Sequence, residues 1–164
     1  MTSNPSDSLV QRDIEKAMLS NLEKQHSDWQ KIDWHELIGG REFSGKVKPD
    51  GVWRDSNGVI IIAECFARIG KLKPGQHRKI ASDILKLIIL KEELMDEYSL
   101  RIMLVVSDEL GLQLEGNDWL SIIVSKKIEL TKIPLSDEQR ISLLKAIQRQ
   151  GEGQSRTKRE RTTL

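Results

Sequence analysis

The sequence predicts an α/β or α+β domain, with a mixed β-sheet flanked by helices. Three observations carry that reading. The run Val59-Ile60-Ile61-Ile62-Ala63 is apolar on both faces, as a strand in the middle of a covered sheet must be. Asp55-Ser56-Asn57-Gly58, just before it, is a hairpin turn signal, because Asn-Gly readily takes positive φ at both central positions. Segments with helical apolar spacing lie before and after this pair.

The elements follow in order. Ser8 and Gln11 have the spacing of a capping box and open a helix to about Gln25, with Val10, Ile14, Ala17, Met18 and Leu22 as its apolar stripe. Residues 26–41, with Trp29, Trp34 and Gly39-Gly40, read as a loop or short helix and a turn. A strand is expected from Phe43 to Trp53, and after the turn a second from Val59 to Arg68. "GKLKPGQ" is a loop. A long helix runs from about Gln76 to Asp96, with Ile80, Ile84, Leu87 and Ile88 inward. Arg101 to Val106 is a buried strand, and "EGNDWLSIIVSKK" a helix. Ile128 to Ile133 is a short strand near an edge, before Pro134. Ser136 and Gln139 form a second capping box, for a helix expected to stop at Gln150 before Gly151.

The chain of 164 residues suits one domain with a proper core. Residues 1–7 read as a flexible N-terminus, 8–150 as the domain, and 151–164 as a flexible basic tail. In that tail Arg156, Lys158, Arg159 and Arg161 outnumber Glu152 and Glu160. A solvated terminus or a weak nucleic-acid or partner contact would both have this composition. The net charge of +1 gives no global attraction to nucleic acid, so any such binding needs a local patch. Cys65 is the only cysteine, which excludes an intramolecular disulfide framework and points to a reducing, cytoplasmic setting. With three histidines it cannot make a Cys/His zinc site of the usual spacing. The N-terminus lacks a signal-peptide pattern. No apolar run approaches the roughly 20 residues that span a bilayer, so no membrane partner is expected.

Glu64 is the anomaly in this pattern. A carboxylate in a run of isoleucines is costly unless a cation neutralises it or the strand end opens to solvent. Asp50 follows Pro49 on the other side of the hairpin, so the two carboxylates fall on neighbouring strands. Two close carboxylates repel unless a proton or cation lies between them. A hard divalent cation such as Mg²⁺ takes such oxygen ligands.

Pro49-Asp50, the hairpin, Glu64 and the flanking helices together resemble the PD-(D/E)XK, or restriction-endonuclease-like, nuclease superfamily. The resemblance covers about residues 8–106. It implies a restriction-endonuclease-like core and a Mg²⁺- or Mn²⁺-dependent endonuclease that hydrolyses DNA phosphodiesters. Asp50 and Glu64 would be catalytic and metal-binding, with Glu15 on the first helix as a further metal ligand; Glu23 is the weaker choice there. Gln76 matches a glutamine at the start of the helix after the motif.

The sequence departs from the motif at one place. Its lysine should stand two residues after Glu64, on the same strand face, and that residue is Phe66. Arg68, Lys48, Lys73 and Lys79 are candidate replacements. Gln76, Lys79, Asp83 and Lys86 recur as one polar stripe on the long helix, and Lys79, one turn in, is the choice favoured by sequence. A solvent-facing stripe with a Lys79–Asp83 pair is the competing reading. Arg68, Lys71 and Lys73, with the helix N-terminus, are candidate contacts to a DNA backbone. Cys65 alternates with Glu64 and is expected to be an inert core thiol.

Two other functions fit the same residues. One is a catalytically silent nuclease-like domain that serves as a nucleic-acid-binding or protein-interaction subunit. The other is a protein-binding module whose carboxylates are capped by Arg68 or Lys48. The chain carries no separate sequence-reading domain, so a nuclease of this kind is expected to act as a homodimer or with a larger partner subunit. That places it in a DNA-processing or defence system by analogy.

Overall fold

The computed structural model describes the backbone of residues 5–41 and 47–160, with side chains from 8 to 149 within those ranges. The elements are α1 (Pro5–Gln25), β1 (Gln30–Lys31), α2 (Trp34–Ile38), β2 (Gly51–Arg54), β3 (Ile60–Phe66), α3 (Pro74–Leu94), β4 (Leu100–Ser107), α4 (Asp108–Leu114), α5 (Trp119–Lys127), β5 (Glu129–Ile133) and α6 (Asp137–Glu160). The strands form one five-stranded sheet in the order β1-β2-β3-β4-β5. β1 pairs with β2 and β2 with β3 antiparallel, whereas β3–β4 and β4–β5 are parallel. Helical crossovers supply the connections that parallel neighbours require. The result is the expected mixed sheet flanked by helices.

β3 is the central strand, and all seven of its residues are buried. Ile60, Ile62 and Phe66 pack toward α2, α3, α4 and α5, in a core with Leu37, Ile80, Ile84, Leu87, Leu110 and Leu120. Ile61, Ala63 and Cys65 pack toward α1 and α6, with Ile14, Met18, Leu22 and Leu143. The uninterrupted apolar run thus serves two cores, one on each face.

Several local expectations are corrected. α1 already runs from Pro5, so Ser8 does not open it. Gln11 instead donates from Nε2 to Glu15 Oε1 at 2.8 Å. The strand expected over 43–53 is only Gly51–Arg54, its first part falling on residues outside the described ones. In the hairpin only Gly58 has positive φ, at 82°, so Asn57 is not left-handed. Asp55 organises the turn: its backbone oxygen accepts from Gly58 N, and its Oδ1 from Asn57 N and Val59 N. An Asx-capped turn closed by a left-handed glycine replaces the primed two-residue turn. α4 went unread because Gly111 interrupts a short pattern. The second capping box is present, with Gln139 Oε1 accepting from Ser136 N at 2.8 Å and Ser136 Oγ accepting from Gln139 N at 3.2 Å. Its helix, α6, passes through Gly151 to Glu160; a helical glycine costs only about 1 kcal/mol relative to alanine. No helix among the described residues is long and apolar enough to cross a membrane.

Candidate active site

The carboxyl end of β3 gathers the charged side chains. The β2–β3 register begins at Gly51↔Ala63, so Asp50 stands where the ladder stops. Its Oδ2 accepts from Cys65 N at 2.9 Å. The carboxylate thus takes over a strand N–H that β2 no longer satisfies. Asp50 itself is exposed, and Pro49 before it is buried.

Glu64 is 3% exposed. By alternation it shares the α3 face of β3 with Ile62 and Phe66. Lys86 of α3 approaches it, with Nζ 2.5 Å from Oε1. Lys86 is the polar partner of the buried Oε1 at this distance, although the contact is poorly aligned for a hydrogen bond. Burial pushes the Glu64 carboxyl up to about 8; the Asp50 charge adds to this, and Lys86 opposes it. A buried carboxylate pushed up by a second carboxylate and held by one lysine has the electrostatics of a functional site.

The cation on Glu64 is therefore Lys86, where the sequence favoured Lys79. Lys79 Nζ lies 2.9 Å from Asp83 Oδ2 and 4.7 Å from the centre of the Phe66 ring. Burial works against the Lys79 charge, but Asp83, then Glu15 and Asp50, outweigh it and raise its pKa. Lys79 lines the mouth of the site without pairing with Glu64.

A geometric reason separates the two lysines. α3 returns antiparallel to β3 before β4 begins, so going deeper along α3 means going back along β3. Glu64 is two residues before Phe66, about 6.6 Å along the strand. Lys86 is seven residues beyond Lys79, about 10.5 Å along the helix and on the same stripe. With Lys79 over Phe66, the Lys86 backbone lies about 4 Å past Glu64, and its side chain, leaning toward the helix N-terminus, closes that gap.

The remaining candidates are placed as follows. Glu15 of α1 is on the opposite side of the sheet, and its Oε1 accepts from Gln11 Nε2 at 2.8 Å and Ala67 N at 3.1 Å. Burial raises its pKa, and those two hydrogen bonds pull the other way. Glu23 accepts from the Trp53 indole N–H at 2.8 Å, a packing role. Gln76 caps its own helix, Oε1 accepting from Lys73 N at 2.8 Å. Cys65 is a free, buried thiol whose pKa burial pushes up, so it stays protonated. Lys48, Lys71 and Lys73 are exposed, while Arg68 is buried. Among the described residues, no group of three or more His, Cys, Asp or Glu side chains is placed to hold a metal ion. Asp50 is exposed at the strand end and Glu64 is buried behind it, close enough for the Asp50 charge to raise the Glu64 pKa.

No family model matches this chain, and no curated protein matches it. Among solved structures, a chain in a structure described as an EndoMS–dsDNA2 complex is similar to it, with 17% identity and a TM-score of 0.39. The match covers 75% of this chain and 46% of that one, so this chain spans less than half of that chain's length.

Proposed function

We propose that Asp50, Glu64 and Lys86 form the centre of a metal-dependent nuclease that hydrolyses DNA phosphodiesters. The observation that carries the reading is the 2.5 Å approach of Lys86 to Glu64 beside Asp50. It returns a lysine to the acidic pair from the helix, in place of the strand position that Phe66 occupies.

A divalent cation fits this donor set. Mg²⁺ is commonly held by one or two carboxylates and keeps its waters otherwise, and the buried Glu64 Oε1 is approached by the Lys86 ammonium without a well-aligned hydrogen bond. Asp50 and Glu64 would hold the ion, and it would supply Lewis-acid stabilisation of a phosphoryl oxygen and a more acidic water. Cys65 N–H fixes the orientation of Asp50. Lys86, fixed on a packed helix, places its ammonium beside Glu64, where charge develops on the phosphate. Lys79 adds positive charge at the mouth. Lys71 and Lys73, exposed in the β3–α3 loop, would contact the DNA backbone.

The test is cleavage of plasmid and linear DNA by the purified protein with Mg²⁺ or Mn²⁺. Activity that disappears in EDTA and in Asp50→Ala is the expected result. Full activity in EDTA or in Asp50→Ala rejects the mechanism. The silent-domain reading is favoured by one observation: the Lys86 ammonium already occupies the position beside Glu64 Oε1 that a metal would need. DNA binding with no cleavage under any divalent cation, with or without a partner subunit, would support it.

A further inference from the structure

The loop between β3 and α3 holds a cation that nothing in the described part of the molecule neutralises. Arg68 is 6% exposed, and its Nε is buried with no hydrogen-bond partner. Arginine stays charged in proteins, and an unpaired buried charge is strongly destabilising. Asp108 and Glu109, which follow the Ser107 that binds Arg68, are committed to Arg140. Among the described residues no carboxylate forms an ion pair with Arg68. Burial lowers its pKa, and no charged group offsets that.

The main chain around Arg68 is fixed. Arg68 N donates to Ser107 Oγ at 3.1 Å, and that hydroxyl donates to Arg68 O at 2.5 Å. Gln113 holds the next stretch, with Oε1 accepting from Leu72 N at 3.2 Å and Nε2 donating to Gly70 O at 3.0 Å. Gly70 turns the loop at φ 76°. The Phe66↔Val106 register places Arg68 at the carboxyl ends of the neighbouring parallel strands β3 and β4. Open α/β sheets take their ligands at these ends. α3, of 21 residues, starts at Pro74 with no acidic residue in its first turn, so its positive end is not offset.

We propose that Arg68 is the receptor for a phosphate group, a second anion subsite beside the Glu64 centre. The identity of the ligand as a nucleic-acid phosphate rests on the nuclease reading; the existence of the subsite does not. A guanidinium suits this ligand because its planar fork matches two phosphate oxygens. The phosphate has two possible sources: a diester within a strand, or a terminal or free phosphate.

The experiment uses the full chain in EDTA. Its melting is followed as inorganic phosphate is added, against chloride at matched ionic strength, for wild type, Arg68→Met and Arg68→Lys. Binding of a short single-stranded oligonucleotide, with and without a 5′-phosphate, is followed by fluorescence anisotropy. Phosphate is expected to raise the Tm of wild type by about 3 °C and that of Arg68→Met not at all. Free Arg68→Met should melt no lower than wild type, because it loses an unpaired buried charge. Its oligonucleotide affinity should fall about tenfold, with the salt slope smaller by about 1. A loss on both oligonucleotides assigns the subsite to a diester, and a loss only on the 5′-phosphorylated one to a terminal phosphate. An Arg68→Met that melts well below wild type, yet responds to phosphate and oligonucleotide as wild type does, identifies an internal counter-ion and overturns the proposal. Should Arg68→Met fail to fold, Arg68→Lys decides: a weakened phosphate response supports the subsite, and an unchanged one overturns it. A wild-type phosphate response that needs Arg68, without any metal-dependent cleavage, would reject the nuclease reading and leave the subsite standing.

Discussion

Lys86 reaches Glu64 from the fourth turn of α3, while Lys79, two turns earlier on the same stripe, stops over the ring of Phe66. The strand position that would carry a lysine is filled by an aromatic ring that belongs to the core. The positive charge comes from the helix packed against that ring. This relationship sets the first prediction, because it separates two lysines that the sequence presents alike. Lys86→Met is expected to lower metal-dependent cleavage by about 10²–10³-fold, the usual loss when a fixed stabiliser of developing charge is removed. Lys79→Met should lower it far less, and its Asp83 pair is worth only about 0.3–0.5 kcal/mol. Single-turnover cleavage rates for the two variants test the assignment; a larger loss in Lys79→Met would reverse it.

Asp50 does two things that a pair of substitutions can separate. It accepts the Cys65 N–H, and it faces Glu64 with a charge. Asp50→Asn keeps an acceptor oxygen and loses the charge; Asp50→Ala loses both. Asp50→Asn is therefore expected to fold with near wild-type stability but to lose metal-dependent cleavage. Asp50→Ala should lose cleavage and in addition about 1 kcal/mol of stability, from the unsatisfied amide. Urea unfolding beside a Mn²⁺ titration of activity makes the comparison.

The raised pKa of Glu64 gives the metal-free protein a characteristic pH dependence. Its folded-state pKa is about 8, against an ordinary value of 4.5. Between those values the folded carboxyl keeps its proton while the unfolded one has lost it. The folded state then binds more protons, so stability falls as pH rises through this window. In EDTA the Tm is expected to drop from pH 5 to pH 8.5, and Glu64→Gln should flatten that drop. A Glu64→Gln profile parallel to wild type would show that Glu64 ionises normally.

Phe66 is buried against Leu72, Ile80 and Ile84 in the α3-side core, with Lys79 over its ring. Phe66→Ala is expected to cost about 3–5 kcal/mol by leaving a cavity. Phe66→Leu should cost less and keep cleavage, since the ring contacts the Lys79 ammonium and Lys86 pairs with Glu64 instead. Loss of cleavage in a well-folded Phe66→Leu would assign the ring a direct part in the chemistry.

The sequence by itself determined the architecture, because the architecture follows from period and apolar run. Val59 to Ala63 is apolar on both alternating faces, so it could only be a central strand. Ile80, Ile84 and Leu87 repeat at helical spacing, so α3 could only lie with that side on the sheet. The placement of Asp50 near Glu64 was legible for the same reason: a hairpin fixes which residues neighbour each other. Tertiary structure alone decided what a side chain finds at its far end. Lys79 and Lys86 share one stripe, and only the antiparallel return of α3 along β3 sets which of them reaches Glu64. Gln76 was legible as a residue at a helix start, but its amide closes on Lys73 N rather than on the site. Arg68 reads as one more loop cation in sequence. Its burial arises because Ser107 and Gln113, about forty residues later in the chain, pin that loop onto the end of the sheet. Local periodicity encodes faces and neighbours, whereas long-range packing sets reach, desolvation and the pairing of charges.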